Sequence, residues 1–189
     1  MGMPIIPGVR FAPAVPGPGA HAAHGGALLA LLFLPVILIF AVLAIDLLAR
    51  GGWRPADRFV QAYAARPASI KLLCLLMLMV AALHAGLIPA HWQADPVRSV
   101  AFGGEATLLA GLAVWAITGS GWQPATAGLM ILNLAGYWYY TSHGLEAVEP
   151  IGIFSKLLEM GTLGLLVAPS VDPLRAALAR ARLRISASS

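Results

Sequence analysis

ALLALLFLPVILIFAVLAIDLL, residues Ala27 to Leu48, carries no charge until Asp46 and is about the 20 residues that a bilayer crossing needs. A run this apolar on every side has no face to turn toward water, so it reads as a membrane span. Pro35 lies inside it and is tolerable, because neighbouring groups can satisfy the backbone carbonyl it frees. Four further apolar runs follow along the chain: Ile70 to Pro89, Val100 to Thr118, Trp122 to Tyr140 and Pro150 to Ala168. The expectation is an all-α integral membrane helical bundle with five transmembrane helices.

Composition agrees with that class. The chain is 59% hydrophobic and 11% charged, with a mean hydropathy of +0.82, too apolar for an ordinary soluble domain. Its 189 residues suffice for several spans and leave almost nothing for a separate soluble domain. The net charge of +4 comes from 12 basic and 8 acidic residues, and the basic ones cluster where lipid headgroups would meet them, so no nucleic-acid function is read. Cys74, the one cysteine, excludes an internal disulfide and reads as a small buried hydrophobe.

The organisation expected is an irregular outer N-terminal arm over 1–26, rich in Pro, Gly and Ala, a five-span bundle over 27–169, and a basic tail over 170–189. In the tail Asp172-Pro173 reads as a cap and first helical residue. Leu174, Leu178, Ala181 and Ile185 then share one face, and Arg175, Arg180, Arg182 and Arg184 occupy the rest, an amphipathic pattern for an anionic membrane surface. Pro150 is a suitable first residue for the fifth span. Orientation follows the basic residues in short loops. Arg50, Arg54, Arg58, Arg66 and Lys71 join the tail arginines on one side, against Arg10 and Arg98 on the other. The amino terminus is therefore expected outside, the carboxyl terminus in the cytoplasm, and the protein as a multi-pass chain in the plasma membrane.

With that topology His21, His24, His84, His91 and His143 all fall at or near the outer face, as do Glu105, Glu146 and Glu149. The turn from Tyr137 to Glu159, YWYYTSHGLEAVEPIGIFSKLLE, concentrates aromatic, imidazole and carboxylate groups between two apolar runs. Aromatic rings gather at membrane interfaces in any case, so the polar groups are the more informative part. The second-to-third and fourth-to-fifth turns both open outward, so His84, His91, Glu105, His143 and Glu149 are expected to converge on one outer pocket. Imidazole with carboxylate there suits Cu or Zn. Against this, His84 as helix-to-helix polar glue and His91 as an interface residue are equally ordinary uses. His21 and His24 form a possible further metal pair, or are simply solvated.

Asn133, Lys156 and Glu159 are polar groups within the spans. Lys156 and Glu159, three residues apart, can pair on one helix face; alternatively Glu159 faces Asn133 or Glu105 inside the bundle as a proton-carrying or ligand group. Phosphate-binding loops, dinucleotide glycine motifs, H-E-x-x-H and nucleophile elbows are all missing from the sequence. No catalytic residue is assigned.

The part from Ala82 to Val167 resembles an uncharacterised group of small multi-helix membrane proteins common in high-GC actinobacteria. ALHAGLIPAH (Ala82–His91), the asparagine of LNLAGYW (Leu132–Trp138), and Glu149-Pro150-Ile151-Gly152 followed by Leu158-Glu159 carry the resemblance. The preponderance of arginine over lysine agrees with such a source. The resemblance implies the architecture and this choice of positions, and no reaction. Where the group has an arginine-threonine pair after the fourth span, this chain has Tyr140-Thr141. Small size and missing catalytic motifs lead to an expected accessory subunit of a larger membrane complex, a copper-dependent oxidoreductase or monooxygenase among the candidates, whose outer His/Glu cluster binds a metal or docks the larger subunits. The alternative is a stand-alone metal-binding carrier, or a small transporter with a polar path through Glu105, Asn133 and Glu159.

Overall fold

The computed structural model describes residues 18–92, 95–144 and 148–186, with side chains from residue 25 to residue 168 of these. The described residues are all-α, in six helices: α1 (Pro18–Arg50), α2 (Arg54–Ala65), α3 (Ala68–His91), α4 (Pro96–Thr118), α5 (Gln123–Ser142) and α6 (Pro150–Ser186). Among the described residues, four stretches are long and apolar enough to cross a membrane: Gly25–Arg50, Ala68–His91, Pro96–Thr118 and Pro150–Ala168. The remaining expected span, α5, has the length at 20 residues, but Gln123, Thr126, Asn133, three tyrosines and its terminal Thr141-Ser142 dilute its apolar character.

Local chemistry sets the helix ends. Proline occupies the first turn of α2, α4 and α5, where a missing N–H costs nothing. Asp95 caps α4, its carboxylate accepting from the Arg98 backbone N–H at 3.0 Å. The Gly119-Ser120-Gly121 turn reverses the chain through a left-handed Gly121 at φ 76°.

Helix α3 is the hub, packed against α1, α4 and α6. Its core face, Leu73, Cys74, Met77, Val80 and Ala81, meets Leu109, Leu112, Ala113, Ala116 and Ile117 of α4. Against α1 the approach is backbone on backbone: a Cβ at Gly26 would stand 2.4 Å from the Gly86 carbonyl oxygen, so only glycine permits this crossing. Ala27 and Leu34 are buried too, while much of α1 is open, with Leu32, Phe40 and Leu47 each about two-thirds exposed.

Three boundaries differ from the sequence reading. The backbone is already helical from Pro18, so 18–26 extends α1 instead of belonging to an irregular arm. The helical backbone of α6 passes Pro169 and Pro173 to Ser186, so Asp172-Pro173 does not begin a separate helix; proline's fixed φ is compatible with a helix, and the cost is the lost hydrogen bond. The basic connection after the first span contains α2, whose Ala56 is buried and whose Phe59 and Ala62 pack on the core. There Arg66 has an internal task. Its guanidinium donates to the carbonyls of Ile117 at 2.9 Å and Gly119 at 2.6 Å, closing the otherwise unsatisfied end of α4.

Candidate functional site

Two helical hairpins bring polar side chains to one level. His84 lies seven residues from the His91 end of α3, while Glu105, Asn133 and Glu159 each lie nine from Pro96, Ser142 and Pro150. At about 1.5 Å of rise per residue, all four sit roughly 10–14 Å in from the same end of the bundle. The four helices thus contribute one cluster at a common depth.

Its contacts are specific. His84 is 5% exposed, and its Nδ1 lies 2.9 Å from the Val80 carbonyl oxygen, which can only accept, so Nδ1 carries the hydrogen and Nε2 has the lone pair. The same Nδ1–H is 3.3 Å from Glu105 Oε1. Glu105 Oε1 also accepts from Asn133 Nδ2 across the α4–α5 boundary. Glu159 is fully buried; its Oε1 accepts from Ser155 Oγ at 3.1 Å and from Lys156 Nζ at 2.6 Å. Glu159 Oε2 has no hydrogen-bond partner among the described residues. The Lys156 ammonium further reaches the Asn133 carbonyl at 3.5 Å and lies 5.5 Å from the centre of the Tyr137 ring.

One ammonium stands among two carboxylates and an imidazole. With both carboxylates ionised and the imidazole neutral, the cluster has one negative charge in excess, in surroundings where an uncompensated charge is expensive. Such a centre attracts one more cation. Among the described residues, His84, Glu105 and Glu159 form the group of possible metal ligands, one donor atom of each lying within 4.8 Å of the others.

The other residues singled out from the sequence are placed elsewhere. His91 follows His84 on the same face of α3, its Nδ1 3.0 Å from the Leu87 carbonyl, and both imidazoles contact Phe102, at 5.5 Å for His84 and 5.3 Å for His91. His143 is exposed at the end of α5, its Nδ1 2.8 Å from the Tyr139 carbonyl and its ring 4.3 Å from the Tyr139 ring. Glu149 is half-buried just before α6, where its carbonyl accepts from the Ile153 N–H at 3.0 Å. Neither these two histidines nor Glu149 belongs to the close ligand group, so the five-residue outer pocket is not assembled. The physical reason is the packing. The second hairpin meets the first mainly through α6 against α3, and α5 touches α4 little; near the tips the groups that meet are Arg98 and the Tyr140 ring, at 5.2 Å, and not the expected ligands. His21, His24, Glu146, Arg175, Arg180, Arg182 and Arg184 have side chains outside the described residues.

Ser155 is the site residue that the sequence reading passed over, though its position four residues before Glu159 on the same helix face was a usable signal. A helical bundle with an ionisable centre built from several of its helices defines the class. No family model, curated protein or solved structure matches this chain.

Proposed function

We propose that this chain is a multi-pass membrane protein that binds a cation within the bilayer and passes it across, a small carrier or transporter whose working centre is His84, Glu105, Asn133, Lys156 and Glu159. Five spans are assigned, with α1, α3, α4, α5 and α6 crossing, the amino terminus outside and the carboxyl terminus in the cytoplasm. The observation that carries the reading is the meeting of Glu105 and Glu159, from different helices, at a common depth, with a single ammonium paired to Glu159. Intramembrane carboxylates are expensive, and a chain of this size has few reasons other than ion handling to keep two in one place.

The test is reconstitution of the full chain into liposomes with inward gradients of protons, K+ or Zn2+, followed by interior dyes. Flux of at least one cation above that of empty liposomes is expected, and it should disappear in the E105Q/E159Q double variant. Wild-type vesicles as tight as empty ones to all three would refute the transport reading.

The second reading, an accessory subunit of a larger membrane complex such as an oxidoreductase, draws support from α1, where Leu32, Phe40 and Leu47 are each about two-thirds exposed. Lipid or a partner's helix would cover that surface. Co-purification of larger chains from native membranes decides for the subunit reading, and recovery of this chain alone decides against it.

A further inference from the structure

The group His84, Glu105 and Glu159 has a second property, that of a coordination sphere. We propose that it is a site for one divalent transition-metal ion of the Zn2+ type, and that Lys156 is a tethered competitor whose ammonium holds the Glu159 carboxylate until the ion displaces it. The proposal rests on the cation-carrier reading above and names the chemical class of the cation.

The donor set comes first. An imidazole nitrogen and two carboxylates suit a borderline ion such as Zn2+ better than Mg2+ or Ca2+, which take oxygen ligands. One donor atom from each residue lies within 4.8 Å of the other two. Ligands at about 2.0–2.2 Å from a tetrahedral ion stand roughly 3.3–3.6 Å apart, so binding requires a contraction of up to about 1.5 Å, within reach of side-chain rotation. The three ligands come from α3, α4 and α6, so the ion would also clamp the two hairpins together.

The carboxylates are already oriented. Asn133 Nδ2 holds Glu105 and Ser155 Oγ holds Glu159 Oε1, while His84 presents Nδ1 to Glu105 at 3.3 Å and shares its hydrogen with the Val80 carbonyl, so ligation by His84 requires that nitrogen to give up its hydrogen or the ring to turn Nε2 inward. Partners of this kind around a metal site set both ligand direction and affinity. An independent sign that something is to be bound is Glu159 Oε2. This oxygen is fully buried, belongs to a residue with no exposed surface, and has no hydrogen-bond partner among the described residues. A buried carboxylate oxygen without a donor is costly unless a cation uses it.

Lys156 explains how the centre persists before an ion arrives. Its ammonium sits 2.6 Å from the other oxygen of that same carboxylate, the place of a charge that an incoming dication would repel. It also has somewhere to go. Lys156 lines an open groove of about 580 Å3 between α5 and α6, beside Tyr137 and Trp138, and the Tyr137 ring offers its face at 5.5 Å. Lys156 lies six residues from Pro150, about 9 Å in from the end of α6, so displacement swings its stem along the apolar groove and lets the ammonium snorkel toward the headgroup level.

The test is Zn2+ titration of the purified full chain in detergent, by calorimetry and by equilibrium dialysis, on wild type, H84A, E159Q, N133A and K156M, each checked for a monodisperse elution profile. One Zn2+ per chain is expected in the wild type. H84A and E159Q should lose that equivalent, and N133A should weaken it on the order of 10–100-fold. K156M should bind more tightly by at least about tenfold, the size of effect a single nearby charge can have on a bound one. A change toward tighter binding is one that a misfolded variant does not produce, so K156M keeps the proposal testable if another substitution disturbs the fold. Stoichiometric Zn2+ that survives both H84A and E159Q, or no Zn2+ binding by the wild type, overturns the site. K156M binding equal to or weaker than wild type overturns the competitor role. Vesicles that carry protons or K+ through Glu105 and Glu159 while the protein binds no Zn2+ would sink the metal assignment and leave the carrier reading standing.

Discussion

Cutting the Lys156–Glu159 pair from either side should have unequal consequences. At 2.6 Å the two unit charges attract by about 6 kcal/mol for an effective dielectric near 20, before the cost of desolvating them is subtracted. Removing one partner of a buried pair typically destabilises by about 3–5 kcal/mol, because the survivor stays buried and unpaired. The survivors differ here. After K156M the Glu159 carboxylate, with no exposed surface, keeps only Ser155 as a donor among its described contacts. After E159Q the ammonium keeps the Asn133 carbonyl and the Tyr137 ring and, about 9 Å in from the Pro150 end of α6, can snorkel toward the headgroups. K156M should therefore cost about 3–5 kcal/mol and E159Q about 1–2, while the double variant K156M/E159Q should be less destabilised than the sum by about 1–3 kcal/mol, the usual coupling of touching residues. Unfolding in mixed micelles with increasing SDS, in the presence of a chelator, measures all three. Equal losses in the two single variants, or strict additivity in the double, would refute the assignment of an exit to lysine and none to glutamate.

Other perturbations probe the frame. G86L places a side chain where even a Cβ would stand 2.6 Å from the Gly26 carbonyl oxygen; it should separate α1 from α3, lower stability by about 1–3 kcal/mol and abolish disulfide cross-linking between cysteines introduced beside the crossing. R66A leaves the Ile117 and Gly119 carbonyls without their guanidinium and should cost about 1.5–3 kcal/mol in thermal unfolding; R66K, able to serve one carbonyl well, should recover part of it. A cysteine at Asp95 should be labelled by an impermeant thiol reagent from outside, and one at Asp57 should not; the opposite pattern would invert the assigned topology. Removing residues 174–185 should leave the protein in the membrane, checked by fractionation, while weakening its adsorption of anionic lipid.

How much of this was readable from the residues depends on the range of the interaction concerned. Apolar runs such as Ala27–Leu48 announce themselves because a bilayer-crossing helix satisfies its own backbone and needs no partner. Helix α2 was hidden, since twelve residues with Arg54, Asp57 and Arg58 resemble a charged loop until the i, i+3, i+6 spacing of Ala56, Phe59 and Ala62 is set against a neighbouring core. The role of Arg66 was beyond reach, as its acceptors lie 51 and 53 residues away. In the site, the facing of Glu105, Asn133 and Glu159 could be considered from their positions within successive spans, and the Lys156–Glu159 spacing was local. His84 was placed with His91 and His143 because all three flank outward turns. Sequence order cannot say that α6 packs on α3 while α5 touches α4 little, and that packing joins the groups two turns deeper while bringing Arg98 and Tyr140, not His91 and His143, together near the tips.

The central claim is that Glu105 and Glu159 together bind the cation. Ion-induced infrared difference spectroscopy on the full chain in lipid reads carboxyl groups directly, with Zn2+, K+ and protons as the added cations. Wild type should give carboxylate bands on addition of the bound cation, each of E105Q and E159Q should remove part of them, and the double variant should give none. A difference spectrum unchanged in the double variant would contradict the account, because the cation would then be held by other groups.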